Sequence, residues 1–92
     1  MTGTEKKQII NDLITQNGDW TMFADGFDDA ILGIDYSSQR VIYSIKKCYE
    51  ILMNGDNKMT EDEAEEYFAF NVLGSFVGEK TPIYCYDLFE RF

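Results

Sequence analysis

The sequence predicts a small two-layer α+β domain: a three-stranded, mainly antiparallel sheet with helices on one face. Three observations predict it. Three segments carry apolar residues at helical spacing together with helix-start or helix-stop residues. Two short β-branched runs flank a polar turn. A further extended run follows the single proline, Pro82. The predicted order is α-β-β-α-α-β, within one domain over residues 1–92, with a short tail at 1–3 and a C-terminal tail at 87–92.

The first helix is expected over about 4–17. Thr4 serves as N-cap, Glu5 suits the positive helix end, and Ile9, Ile10, Leu13 and Ile14 fall on one face. Asn17 and Gly18 stop it. Residues 19–29 read as a loop with at most one helical turn, plugged onto the core by Trp20, Phe23 and Phe27. The runs 30–34 and 40–43, joined by a polar turn, read as an antiparallel hairpin.

Ser44 is the N-cap of a second helix, in which Ile45, Cys48, Tyr49 and Leu52 recur at i, i+3, i+4 and i+7. Asn54 and Gly55 end it. Thr60 and Glu63 then form the T-x-x-E pattern of a capping box, with Met59 at the staple position. The third helix is expected over 60–73, with Ala64, Tyr67, Phe68, Asn71 and Val72 on its apolar face and Gly74 ending or kinking it. Asn71, the one polar residue on that stripe, is expected as a buried amide bonded to backbone. Leu73, Phe76 and Val77 continue the apolar content towards Gly78. Residues 82–86 read as the last strand, whose neighbour and direction the pattern leaves open.

Composition narrows the function. Seventeen acidic residues, eight basic ones and no histidine give a net charge of −9. That balance excludes a nucleic-acid binder, which needs a basic face. Without histidine the commonest general base and metal ligand are missing. Neither a Ser-His-Asp nor a Cys-His arrangement is possible, and no GxGxxG or Walker motif occurs. We therefore expect no enzyme, no catalytic residue and no cofactor. An EF-hand register starting at Asn54 places Lys58 at position 5 and Met59 where glycine is required, so no calcium loop is expected and no metal site either. Cys48 and Cys85 belong to no metal or CxxC pattern and read as reduced, mostly buried thiols. No signal-peptide region or membrane-length apolar run is present, so Gly74 and Gly78 carry no membrane meaning. No glycosylation acceptor occurs. The chain reads as soluble and cytoplasmic.

The acids are concentrated. One stretch holds Asp19, Asp25, Asp28, Asp29 and Asp35 with no basic residue among them. The other holds Asp56, Glu61, Asp62, Glu63, Glu65 and Glu66 against Lys58 alone. The plain reading of the second is a solvated helix face whose first turn suits the helix dipole. The functional reading is a surface that meets a basic partner. Glu61, Asp62, Glu65, Glu66, Asp28 and Asp29 are its candidate binding residues.

The segment EAEEYFAFNVLGSFVGEKTPIY, with DGFDDAILGI and VIYSIKKCYEIL before it, resembles a family of small, mostly uncharacterised proteins of bacteriophages and prophages. The residues that carry the resemblance are Glu66-Tyr67-Phe68, Phe70-Asn71-Val72, Gly74, Val77-Gly78-Glu79 and Thr81-Pro82-Ile83. It spans roughly residues 24–86 and leaves the first helix uncovered. It implies a phage origin, a bacterial host cell and a fold precedent, and no catalytic role.

The sequence-level expectation is thus a small acidic phage-type accessory protein acting by protein–protein binding, in its sharper form an inhibitor of a host protein with a basic surface. One alternative is a homo-oligomeric accessory protein of structural role, pairing through the last strand or through Tyr84, Tyr86, Phe89 and Phe92, because surface aromatics favour interfaces. The plain reading of those aromatics is that they cap the core edge. A second alternative is a small-molecule module with a pocket lined by Trp20, Tyr67 and Asn71.

Overall fold

A computed structural model describes residues 1–56, 58–74 and 78–89. Its elements follow the predicted order: α1 (Gly3–Gln16), β1 (Ile31–Ile34), β2 (Val41–Ser44), α2 (Ile45–Asn54), α3 (Glu61–Phe68) and β3 (Ile83–Cys85). A 3₁₀ turn (Asp28–Ala30) precedes β1, and a π-helical turn (Ala69–Leu73) prolongs α3 to Gly74. The expectations that fall on Phe76, Val77 and Phe92 lie outside the described residues.

The start of α1 differs from expectation. Its N-cap is Thr2, not Thr4: the Thr2 hydroxyl accepts from the Glu5 N–H and the Glu5 carboxylate accepts from the Thr2 N–H. Residues 2 and 3 are therefore part of the helix end and not a tail. Gly3 is buried, and its N–H donates to Asp29 Oδ1 at 2.8 Å. A Cβ at this position would lie 2.5 Å from Asp29 Oδ1 and 2.6 Å from the Asp29 backbone nitrogen, so glycine is needed for the close approach. At the other end the Asp19 N–H donates to the Ile14 carbonyl and the Gly18 N–H to the Thr15 carbonyl. With Gly18 at φ +74° this is a Schellman stop.

β1 and β2 pair antiparallel, with Ile31 opposite Tyr43 and Ile34 opposite Val41; a bulge falls between Ile31 and Gly33. The 35–40 connection is fastened by Asp35, whose carboxylate accepts from both the N–H and the hydroxyl of Ser38. β3 joins β2 in parallel, with Tyr43 opposite Tyr84, so the sheet is mixed and β2 is its central strand. A parallel neighbour requires a long crossover, and α2 and α3 form it. The Ser44 hydroxyl caps α2 by accepting from the Lys47 N–H, and the Thr60/Glu63 box opens α3 with both bonds present.

The core draws on Ile10 and Ile14 of α1, Ile45 and Cys48 of α2, and Phe68 of α3, packed with Ile31, Val41 and Tyr43 of the sheet. Phe68 is fully buried and meets three rings edge-on: Phe27 at 6.4 Å, Tyr49 at 5.5 Å and Tyr84 at 5.2 Å between centroids. Tyr84 in turn stacks on Tyr43 at 5.7 Å. Trp20, expected as a plug, is 58% exposed. Phe27 is buried and Phe23 packs on the core as expected, and the Trp20 end of the loop is held by Lys80, which donates to Asp19 Oδ2 and to the Ser38 carbonyl.

The Gly3–Asp29 contact yields a first prediction. Asp29→Ala removes a charge-assisted hydrogen bond and should lower unfolding free energy by about 1–2 kcal/mol. Gly3→Ala should do so by roughly 1–3 kcal/mol through overpacking. Urea denaturation followed by circular dichroism checks both; an unchanged midpoint in both variants would show that this contact does not hold α1.

Candidate functional site

Of the described basic residues, Lys6, Lys7, Arg40 and Lys80 are partly buried, while Lys46, Lys47 and Lys58 are exposed. Lys6 donates to the carbonyls of Asp29 and Ile31, and Arg40 Nε donates to the Thr81 carbonyl. Lys7 sits 5.1 Å from the centroid of the Phe23 ring. Lys80 binds Asp19, and Lys47 pairs with Glu50 along α2. The acids of α3 are placed differently. Glu61, Asp62, Glu65 and Glu66 are exposed, and none of them joins an ion pair among the described residues.

The two candidate acidic groups do different things. Asp29 fastens the start of α1, and Asp28 is half-buried with Oδ1 lacking a hydrogen-bond partner. The α3 acids also divide. Glu65 acts electrostatically on Tyr49, on the α2 side. Glu66 lines a shallow groove on another flank, with Met59, Glu63, Tyr67, Phe70 and Asn71.

Next to that groove, and sharing Tyr67 and Asn71 with it, opens a cleft of about 270 Å³ between the 22–27 loop, the π-helical turn and the approach to β3. Phe23, Phe27, Val72 and Tyr84 supply apolar wall. Asp25, Tyr67 and Asn71 supply polar atoms around it. Asn71, expected to be buried, is exposed, and its amide donates to the Tyr67 carbonyl. Tyr67 lies at the edge of the buried stripe formed by Ala64 and Phe68. Trp20 does not line the cleft.

The chain matches no protein-family model, no curated protein and no solved structure. Function has therefore to be argued from the residues. Among those described, no group of His, Cys, Asp or Glu has the arrangement of a metal site, and no helix is long and apolar enough to cross a membrane.

Of the C-terminal aromatics, Tyr84 is half-buried and packs against the core, edge-on to Phe68, and burial pushes its hydroxyl up to about 12. Tyr86 and Phe89 are exposed, Phe89 at 87%. Tyr86 lies near Tyr49, whose hydroxyl is raised chiefly by burial and further by Tyr86. Both cysteines are free thiols. Cys48 is fully buried, and that burial, reinforced by Asp87, raises its thiol to about 12; Cys85 is half-buried.

Phe70 was not among the candidate residues, although it is 76% exposed beside the cleft. A signal for it exists in the sequence. It stands two positions from Phe68, about 200° around a helix, on the side away from the apolar stripe. An aromatic there has no core to join.

Phe68→Ala should cost about 3–5 kcal/mol of stability, whereas Phe70→Ala should change it by no more than about 0.5 kcal/mol. Thermal and urea unfolding separate the two, and a large loss from Phe70→Ala would place that ring in the core. In alkali, Cys48 and Tyr84 keep their protons in the folded state to about pH 12, while the unfolded chain releases them from about 9 and 10. The folded state then binds more protons, so stability is complete below about pH 9 and falls as pH rises towards 12. A thiol reagent at neutral pH should accordingly modify Cys85 first and Cys48 only on unfolding; mass spectrometry of the labelled peptides checks the order.

Proposed function

We propose that this protein works by binding another protein, with the exposed acids of α3 set against a basic surface. In its sharper form it is a phage-type accessory protein that inhibits a bacterial host protein by occupying that surface. The observation that carries the proposal is the asymmetry of charge placement. Lys6, Lys7, Arg40 and Lys80 are partly buried in intramolecular contacts and only Lys46, Lys47 and Lys58 of the described cations are exposed, while Glu61, Asp62, Glu65 and Glu66 all face solvent outside any described ion pair. Such a surface steers and selects a basic partner. The resemblance to phage and prophage proteins supports the bacterial setting. Asp28 and Asp29 lie at the start of α1, so the contact is assigned to α3.

The cleft argues against a small-molecule module as the main reading. Its volume of about 270 Å³ lies at the low end for ligand pockets, and Trp20, one of the three residues expected to line it, stands outside it. Self-association keeps one specific observation in its favour, the exposure of Tyr86, Leu88 and Phe89. Light scattering of dilute protein separates the two: a strict monomer removes self-association.

The acidic-surface reading predicts steep salt dependence. A partner retained by the immobilised protein from bacterial lysate at an ionic strength of about 0.01 M, where the screening length is about 30 Å, should be released at about 1 M, where it is about 3 Å. Joint reversal of Glu61, Asp62, Glu65 and Glu66 to lysine should abolish retention, with only a modest fall in stability from the cations it places in the first turn of α3. Affinity for the identified partner that survives the reversal would sink the proposal.

A further inference from the structure

We infer that the cleft between the 22–27 loop and the π-helical turn receives one large apolar side chain of the partner, carried on a short segment with an arginine or lysine beside it. This rests on the protein-binding reading above and deepens it from a charged face to a side-chain socket.

Size comes first. About 270 Å³ is small for a cofactor, and an interface anchor is a single large side chain in a well-packed pocket. The walls come second. Phe27 and Tyr84 are held by their edge-on contacts with Phe68, so the socket is formed before anything binds. Charge decides the occupant. Asp25 lies at the cleft, and Glu63 and Glu66 lie in the groove that shares Tyr67 and Asn71 with it. Among the described residues, no lysine or arginine lines either one, although Lys7 lies 5.1 Å from the centroid of the Phe23 ring that forms one cleft wall. Phe70 exposes a ring beside Glu66, and a guanidinium over an aromatic face next to a carboxylate gains both cation–π and charge-assisted bonding. An apolar residue with a basic neighbour therefore meets both halves of the site; an acidic or phosphorylated ligand meets repulsion.

The test selects a displayed library of random short peptides on the folded full-length chain, then titrates a synthetic consensus peptide while observing backbone amides by NMR. The expected consensus has Leu, Ile, Met or Phe adjacent to Arg or Lys, with shifts at Phe23, Tyr67 and Val72. Replacing the apolar residue of the peptide by alanine should weaken binding about tenfold or more. Asn71→Trp, which obstructs the cleft mouth without altering a carboxylate, should weaken it similarly while thermal unfolding stays unchanged. Glu66→Gln should weaken it by a smaller, salt-sensitive factor. If the alanine peptide binds equally well and shifts fall only on the acids of α3, the socket is overturned and the acidic surface stands. If the apolar residue matters but the basic one does not, the acidic-surface reading fails instead. Selection that yields no peptide shifting the cleft residues overturns the inference.

Discussion

The ring of Phe68 is the contact on which the arrangement depends. Through it α3 meets the 19–30 loop at Phe27, α2 at Tyr49 and the last strand at Tyr84. Each edge-on pair adds about 0.5–1.5 kcal/mol beyond burial, but the geometric effect is larger than that figure suggests. A chain of this size has a thin core, and three segments remote in sequence are brought into register by one side chain. The stack of Tyr84 on Tyr43 extends the same constraint into the central strand. The cleft is a by-product of this packing, since two of its walls are rings already fixed by Phe68.

How much of this was legible depends on how local the physics is. The caps at Ser44 and Thr60, the stop at Asn17-Gly18 and the hairpin are decided by residues within a few positions of one another, and their patterns stand in the sequence. Thr2 also has its Glu5 three residues on, yet the cap was assigned to Thr4. What selects Thr2 is Gly3 docking on Asp29, a contact across 26 positions. Tyr84 and Tyr86 are expected on one face of a strand over 82–86, but the strand ends at Cys85, and the parallel pairing with β2 turns Tyr84 onto Tyr43 and Phe68 while Tyr86 stays exposed. Trp20 is large enough to suggest burial, and its loop is fixed by Lys80 from the far end of the chain. The cleft was not legible for the same reason. Tyr67 and Asn71 were singled out, while Phe23, Phe27 and Tyr84 reach it only through the tertiary fold.

The net charge changes meaning with the structure. A net charge of −9 on 92 residues describes a composition. The fold sorts that composition, because several cations satisfy backbone carbonyls and ring faces where the chain needs them. Some acids are sorted inward as well. Hydrogen bonds from Ser38 hold the Asp35 carboxyl below its usual range, and bonds from Trp20 and Lys80 do the same for Asp19. The acids of α3 are left to solvent, with an aromatic groove beside Glu66.

The bulge between Ile31 and Gly33 bears on how other chains can approach. β1 is one border of the sheet, and there the bulge interrupts the even spacing of donors and acceptors that a foreign strand would need. The other border, β3, is three residues long. Short or kinked borders are poor templates for strand addition. An aromatic-rich chain with a small sheet is thereby steered away from growing by edge-to-edge stacking, and recognition is left to side chains on the helical layer.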